Sequence, residues 1–160
     1  MNPLLERLFD AWTDVNDLSE LEDRFAAVYT DPVRVNGTDV SPSDLAIRAR
    51  SLHRAFSDLR AEVLQVVADR DGIAVAFVMH GLHTGAYETP VGIIQPTGSR
   101  VQIRSIDVLT ISDEKISAIW VVADDLGTLR QLAGNRNRQQ MTAQAISGRI
   151  TANRFCEERL

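Results

Sequence analysis

The sequence predicts an α+β fold, in which N-terminal helices pack on one face of a curved, mostly antiparallel sheet. Two patterns lead to this prediction. Apolar residues recur mainly at helical spacing through residue 56, and from residue 59 onward they alternate with polar residues in runs separated by tight turns. With 160 residues, of which 44% are hydrophobic, the chain has the size of one domain with a single core.

Two helices are predicted at the N-terminus. The first begins at Asn2-Pro3, a capping residue followed by proline at the first helical position, and its apolar stripe continues to Val15. The second begins with the capping box Ser19–Glu22 and continues through Val28. We expect Asp31-Pro32 to end this helix, because proline cannot continue the hydrogen-bond ladder.

The middle of the chain changes from helical to strand periodicity. A short strand at residues 33–35 precedes the turn Asn36-Gly37, and a third helix then begins at Ser41–Asp44 and carries an apolar stripe to Phe56. After Asp58 the period changes to two. This alternation predicts four strands, at residues 59–68, 73–83, 101–111 and 116–123.

The C-terminal part is predicted to be helical. Asp124 can cap a helix over residues 125–133, which Gly134 ends. One face of a further predicted helix carries mostly small residues: Met141, Ala145, Gly148, Ala152 and Phe155. We expect that helix to cover the domain or a partner subunit. The chain is therefore divided into a domain of residues 1–134 and a C-terminal helical tail of residues 135–160.

Charge and composition exclude several classes of protein. The net charge is −5 and Lys and Arg do not cluster, so the chain lacks the basic surface that nucleic-acid binding requires. No apolar run approaches the roughly 20 residues of a membrane span, and the N-terminus does not have the pattern of a signal peptide. We therefore expect a cytoplasmic protein that has neither nucleic acid nor a membrane as a partner.

Metal and disulfide chemistry are not expected either. Cys156 is the only cysteine, which excludes an intramolecular disulfide and a multi-cysteine metal site. The three histidines do not have the spacing of metal ligands.

Three segments carry a specific set of motifs. They are AFSDLR at residues 55–60, the pair GLHTG and QPTG at residues 81–85 and 95–98, and DDLGTLRQLA at residues 124–133. In this order and spacing they resemble the SnoaL-like polyketide cyclase family, within the nuclear transport factor 2-like superfamily. The resemblance extends over residues 4–133.

The resemblance implies a cone-shaped α+β barrel, in which a strongly bent sheet encloses an apolar cavity, and it implies a homodimer. Members of the family close polyketide rings by aldol chemistry without a metal or redox cofactor, so no cofactor is expected. Relatives with the same fold isomerise ketosteroids, open epoxides, dehydrate or hydroxylate, or have no known catalysis. The fold alone therefore does not identify the reaction.

One departure from the family pattern bears directly on mechanism. The aspartate that serves as acid and base in the aldol cyclases falls at Val121, and two histidines of those enzymes fall at Asp107 and Ile119. Valine neither accepts nor donates a proton, so the aldol mechanism does not carry over unchanged.

Asp107 is the principal candidate for catalysis. It lies in the middle of a predicted strand between apolar neighbours, where desolvation raises the pKa of a carboxyl and suits it to acid–base chemistry near neutrality. The alternative is a structural aspartate, held by hydrogen bonds within the sheet. His83, which matches a family histidine, is the candidate auxiliary donor, and a hydrogen bond to the turn at Thr84-Gly85 is its structural alternative.

Five further residues are candidates for substrate binding: Tyr29, Phe56, His80, Trp120 and Val121. His80 and His83 are three residues apart on one predicted strand and point to opposite faces, unless Gly81 forms a bulge. By the same alternation, only one of Trp120 and Val121 can face a cavity. Tyr29 can offer its phenol to a ligand carbonyl.

These residues lead to one main hypothesis about function. It is a cofactor-independent cyclase or isomerase of secondary metabolism, such as antibiotic biosynthesis, that acts on an apolar, carbonyl-bearing polyketide-type substrate by proton transfer. Epoxide hydrolysis or epoxide-opening cyclisation is a second enzyme class, and it requires two acids in one cavity. A non-catalytic module that binds a small molecule or serves as a scaffold is the third reading, which a cavity without titratable groups would favour.

Overall fold

The structure, a computed structural model, describes residues 2–14, 20–89 and 91–134. Its elements in chain order are α1 (Pro3–Thr13), α2 (Leu21–Val28), β1 (Tyr29–Val35), β2 (Thr38–Val40), α3 (Pro42–Ala55), β3 (Phe56–Ala68), β4 (Gly72–His83), β5 (Tyr87–Thr89), β6 (Gly92–Ile94), β7 (Arg100–Ser112) and β8 (Lys115–Ala123), followed by helical residues 125–134 (α4). The predicted α+β class is confirmed. The predicted tail and Cys156 lie outside the described residues.

Six strands form one strongly curled sheet in the order β2-β1-β8-β7-β4-β3. Neighbouring strands are antiparallel except β1 and β8, which are parallel. Register shifts interrupt the β3–β4 pairing in two places, and Asp58 at the first of them has a positive φ of 54°. Such irregularities bend a strand and increase its twist, which helps the sheet to curl around the helices.

The predicted helix caps are mostly confirmed. The side chain of Asn2 accepts a hydrogen bond from the backbone N–H of Leu4 at 2.8 Å, and Ser41 forms a capping box with Asp44. Helix α2 begins at Leu21, and its N-cap residue, Glu20, makes no side-chain capping bond. The predicted cap, Ser19, lies outside the described residues.

The expectation for Asp31-Pro32 is wrong. Helix α2 ends at Val28, and the two residues lie inside β1, which begins at Tyr29. The β1–β8 register shifts between Tyr29 and Arg34, so Pro32 occupies the irregular part of the strand and takes no N–H out of a regular ladder. The three-residue strands β2, β5 and β6 were not predicted.

Helices α1, α2 and α3 pack against the inner face of the sheet and form the main core with it. A smaller cluster of Ala55, Phe56, Val101 and Leu132 lies under α4. None of the helices within the described ranges is long and apolar enough to cross a membrane.

Residues of the second and third motif segments hold elements of the fold together. A Cβ on Gly85 would lie 1.8 Å from the carbonyl oxygen of Arg54, so only glycine lets this loop approach the end of α3. The side-chain amide of Gln131 accepts from the backbone N–H of Gln102 at 2.8 Å and donates to its carbonyl at 2.9 Å. Asp124 caps α4, as predicted, by accepting from the N–H of Gly127 at 2.8 Å.

Candidate active site

A cavity of about 320 Å³ lies between the inner face of the sheet and helices α1 and α3. This volume is in the range of small-molecule sites. Most of its wall consists of aliphatic and aromatic side chains from α1, α3, β4, β7 and β8. Among the described residues, the polar groups that line it are the indole of Trp12 and the side chains of Tyr29, Arg48, Tyr87, Ser105, Asp107 and Asp125.

Asp107 lies on β7 with its side chain at the cavity, and only 8% of the residue is exposed. Burial raises the pKa of its carboxyl from the ordinary 3.8 to about 6, against the opposing effect of a hydrogen bond from Ser105. A carboxyl with this pKa is available both as an acid and as a base near neutral pH. The structure therefore places Asp107 where acid–base chemistry needs it, and its catalytic role stays a prediction.

Ser105 lies two residues before Asp107 on the same face of β7. Its Oγ is 2.8 Å from Oδ1 of Asp107 and 3.3 Å from the carbonyl oxygen of Val122. The hydroxyl carries one proton, which it can donate to the ionised carboxylate or, when Asp107 is protonated, to the Val122 carbonyl. Ser105 was not a sequence candidate, although its spacing of two from a predicted inward carboxyl could have identified it.

Tyr29 is buried at the start of β1, and its phenol also lines the cavity. The indole Nε1 of Trp12 donates a hydrogen bond to the phenol oxygen at 3.0 Å. Burial raises the pKa of Tyr29, the bond from Trp12 lowers it, and the negative charge of Asp107 raises it. The net pKa is raised, so the phenol keeps its proton. Sequence reasoning missed Trp12, although a tryptophan on a buried helix face needs an acceptor for its N–H.

Val121 and Trp120 lie on opposite faces of β8, as the alternation requires. Val121 faces the cavity, and it is the direct partner of Asp107 in the β7–β8 register. Trp120 is 60% exposed on the outer face, so the expectation that it forms part of the substrate site is wrong.

His83 and Phe56 do not line the cavity, which corrects both expectations. They are direct partners at the ends of β3 and β4, and Tyr87 packs against Phe56 with ring centroids 4.9 Å apart. Tyr87, rather than Phe56 or His83, lines the cavity at this end of the sheet. The physical reason is that the β4–β7 connection folds over this end of the sheet and covers both side chains.

The fully buried His83 holds that connection in place. Its Nδ1 lies 3.0 Å from the hydroxyl of Thr97 and accepts from the Thr97 backbone N–H at 3.3 Å. Burial lowers the pKa of His83 and keeps the ring neutral, although the Gly85 backbone acts in the opposite direction. Its partners thus include the QPTG segment, and the backbone of Gly85 in the predicted turn also acts on the ring.

His80 also lies away from the cavity. It points to the other face of β4, as predicted from its spacing to His83, and its Nε2 lies 2.8 Å from a carboxylate oxygen of Glu62. Its expected part in substrate binding is therefore wrong, because the strand alternation directs it outward.

The mouth of the cavity carries opposite charges. Arg48 on α3 and Asp125 on α4 are both exposed and both line the opening. Burial raises the pKa of Tyr87 beside them, and the charge of Asp125 adds to this effect. In the part of the chain that the structure describes, no group of three or more His, Cys, Asp or Glu side chains could hold a metal ion.

Comparison with known proteins agrees with this architecture. Similar solved structures include TsrD from Streptomyces laurentii, with 19% identity over 81% of this chain and 91% of that chain and a TM-score of 0.68. AclR from Streptomyces galilaeus, a proposed hydroxylase, has 25% identity over 82% and 93% of the two chains and a TM-score of 0.65. IdmH from Streptomyces antibioticus, a proposed polyketide cyclase, has 18% identity over 81% and 96% and a TM-score of 0.65.

No curated protein matches the sequence. A family model does, and it is described as that of SnoaL-like polyketide cyclases and spans residues 3–132. That span contains every element that forms the cavity, from α1 to the start of α4. The chain belongs to the SnoaL-like polyketide cyclase family.

Proposed function

We propose that this protein is a cofactor-independent cyclase or isomerase of secondary metabolism, which acts on an apolar, carbonyl-bearing polyketide-type substrate by proton transfer. The observation that carries the proposal is Asp107, a carboxyl buried in an apolar cavity with its pKa raised to about 6. Acid–base catalysis is most efficient when the pKa of the catalytic group lies near the working pH.

The chemistry follows from one group that changes its protonation state. The Asp107 carboxylate removes a proton from the carbon next to a substrate carbonyl, and the C–H electron pair becomes an enolate. The carboxylic acid formed in this step then returns the proton to the product. The apolar wall excludes water, which would otherwise compete for the proton and the enolate.

The position of Val121 supports the proposal. The resemblance places the family's acid–base aspartate at this residue, and Asp107 lies directly across the strand pair from it. Opposite residues on antiparallel strands have Cβ atoms about 5 Å apart. The carboxyl of Asp107 thus reaches the same part of the cavity from the neighbouring strand.

The two alternatives have less support. Epoxide opening needs two acids that act on the same epoxide ring. The second carboxylate of the cavity, Asp125, is instead exposed at the cavity mouth. A purely ligand-binding module has no need of a buried carboxyl, whose ionisation costs stability. Cyclisation or isomerisation therefore remains the proposal.

We also propose, on the family resemblance, that the protein is a homodimer. Large apolar side chains lie exposed together on the outer face of β7 and β8: Ile106, Val108, Trp120 and Val122. Light scattering in solution tests this, and a monomeric mass would contradict it.

The enzymatic proposal is tested with 2-tetralone, a small apolar ketone with acidic hydrogens beside its carbonyl. Exchange of these hydrogens with deuterated solvent is followed by NMR above the rate in buffer alone. We expect the wild-type protein to accelerate exchange and Asp107→Asn to lower that acceleration by about 100-fold or more. Trp120→Phe, on the outer face, is the matched control and should exchange at the wild-type rate. Equal rates for Asp107→Asn and wild type would overturn the assignment.

A further inference from the structure

Building on the proposed function, we propose that the Tyr29 phenol, held by a hydrogen bond from Trp12, donates a hydrogen bond to the carbonyl oxygen of the substrate. The substrate is then an enolisable ketone whose oxygen lies against the Tyr29 phenol while its acidic carbon lies against Asp107. Trp12 acts through Tyr29 and is a positioning residue.

The hydrogen bonds of Tyr29 lead to this assignment. Its oxygen accepts the indole proton of Trp12 at 3.0 Å, which leaves the phenol's own proton for a second partner. Within the described ranges, no protein acceptor is paired with that proton. A buried donor without an acceptor is unfavourable, and this one lies on the cavity wall, where a ligand oxygen can complete it.

The surrounding rings hold the donor in one orientation. Phe25 stacks on Tyr29 with ring centroids 5.7 Å apart and meets the edge of Trp12 at 5.2 Å. The bond from Trp12 also polarises the phenol, because donation to a hydroxyl oxygen strengthens the bond that the hydroxyl itself donates. A fixed, polarised donor of this kind stabilises negative charge that develops on a substrate oxygen.

The charges of the two groups fit one reaction. Asp107 and Tyr29 line the same cavity, and the charge of Asp107 is close enough to affect the phenol. Proton abstraction breaks a C–H bond, forms an O–H bond on Asp107 and moves one negative charge to the enolate oxygen, to which Tyr29 donates. The apolar cavity therefore holds a single negative charge before and after the step, so no second buried charge has to be stabilised.

The experiment measures the carbonyl of a bound ketone directly. The probe is 1-tetralone, and its C=O stretching band is isolated by the infrared difference between carbonyl-labelled and unlabelled samples. In the wild-type protein we expect the band at lower frequency than in an apolar solvent, because the carbonyl accepts a hydrogen bond. Tyr29→Phe should return it to the apolar-solvent position and raise Kd about tenfold. Trp12→Phe should shift it part of the way, and the control Trp120→Phe should leave it unchanged.

A band that stays in place in Tyr29→Phe would overturn the assignment, and so would a shift of equal size in Trp120→Phe. The infrared result and the deuterium-exchange result test the carbonyl subsite and the proposed function independently. Loss of deuterium exchange in Asp107→Asn with an unmoved band in Tyr29→Phe would support the acid–base role and refute the carbonyl subsite. A band shift without any deuterium exchange would support the subsite and refute the catalytic proposal.

Discussion

Asp107 on β7 and Val121 on β8 are direct partners across an antiparallel strand pair, and both side chains face the cavity. In the family pattern the acid–base aspartate stands at the second of these positions, whereas the carboxyl that we propose as acid and base in this chain stands at the first. The two positions lie about 5 Å apart at Cβ, so either can address the same substrate atom.

This relationship predicts that a carboxyl at position 121 can replace the one at position 107. Asp107→Asn should lose deuterium exchange into 2-tetralone, and the added change Val121→Asp should restore it to within about tenfold of wild type, since the misplacement is small. The matched control is Val67→Asp in the same background. Val67 is 61% exposed on β3 and does not line the cavity, so its carboxyl cannot act there. Equal recovery with both variants, or none with Val121→Asp, would contradict the prediction.

The raised pKa of Asp107 predicts a pH-dependent cost in stability. The folded protein holds this proton more tightly than the unfolded chain, so the stability it contributes is fully present below the unfolded pKa of 3.8 and is lost as pH rises through about 6. Above that pH the cost is about 3 kcal/mol. Asp107→Asn should therefore gain about 2.5 kcal/mol over wild type between pH 4 and pH 7.5 in urea unfolding, because part of the cost is already present at pH 4.

The control for this measurement is Glu88→Gln, an exposed carboxyl on β5. Its free energy of unfolding should run parallel to the wild-type curve over the same pH range. A parallel curve for Asp107→Asn would mean that the carboxyl has an ordinary pKa in the folded protein.

Ser105 predicts a shift in the pH profile of exchange. Its hydroxyl donates to Asp107 at 2.8 Å and lowers the pKa of that carboxyl. Ser105→Ala removes the donor and so raises the pKa of Asp107. Because exchange needs the ionised carboxylate, the midpoint of the rate–pH profile should move up by about one pH unit. Ser112→Ala, an exposed serine at the end of β7, is the control. A lower rate at every pH with an unmoved midpoint would show that Ser105 does not lower the pKa of Asp107.

Gly85 predicts a large loss of stability on a small substitution. The Cβ of an alanine would lie 1.8 Å from the Arg54 carbonyl oxygen, and rigid backbone cannot move away at little cost. We expect Gly85→Ala to lower the free energy of unfolding by about 3 kcal/mol or more. Gly134→Ala, where no atom lies within 4 Å of the added Cβ, should change it by less than about 1 kcal/mol. Similar free energies of unfolding for both variants would show that the loop backbone at Gly85 can shift at little cost.

The strand pattern correctly predicted the faces on which several side chains lie. Alternation placed Asp107 on a buried face, separated Val121 from Trp120, and put His80 and His83 on opposite faces. It could not place Phe56 or His83, because both lie at strand ends that a connection from elsewhere in the chain covers. Trp12 was missed because its partner, Tyr29, comes near it only in the folded chain. Ser105 was missed although it lies two residues from Asp107 on the same strand.

The sequence by itself determined much of the local structure: where the helices begin, where the four long strands run and which of their residues share a face. Those features depend on hydrogen bonds and periodicities within a few residues of one another. Only the tertiary structure decided that Trp12, Tyr29, Ser105 and Asp107 share one cavity and that His83 does not. The curl of the sheet, the β1–β8 pairing and the path of the β4–β7 connection follow from packing between distant segments. A pattern read along the chain does not contain those distances.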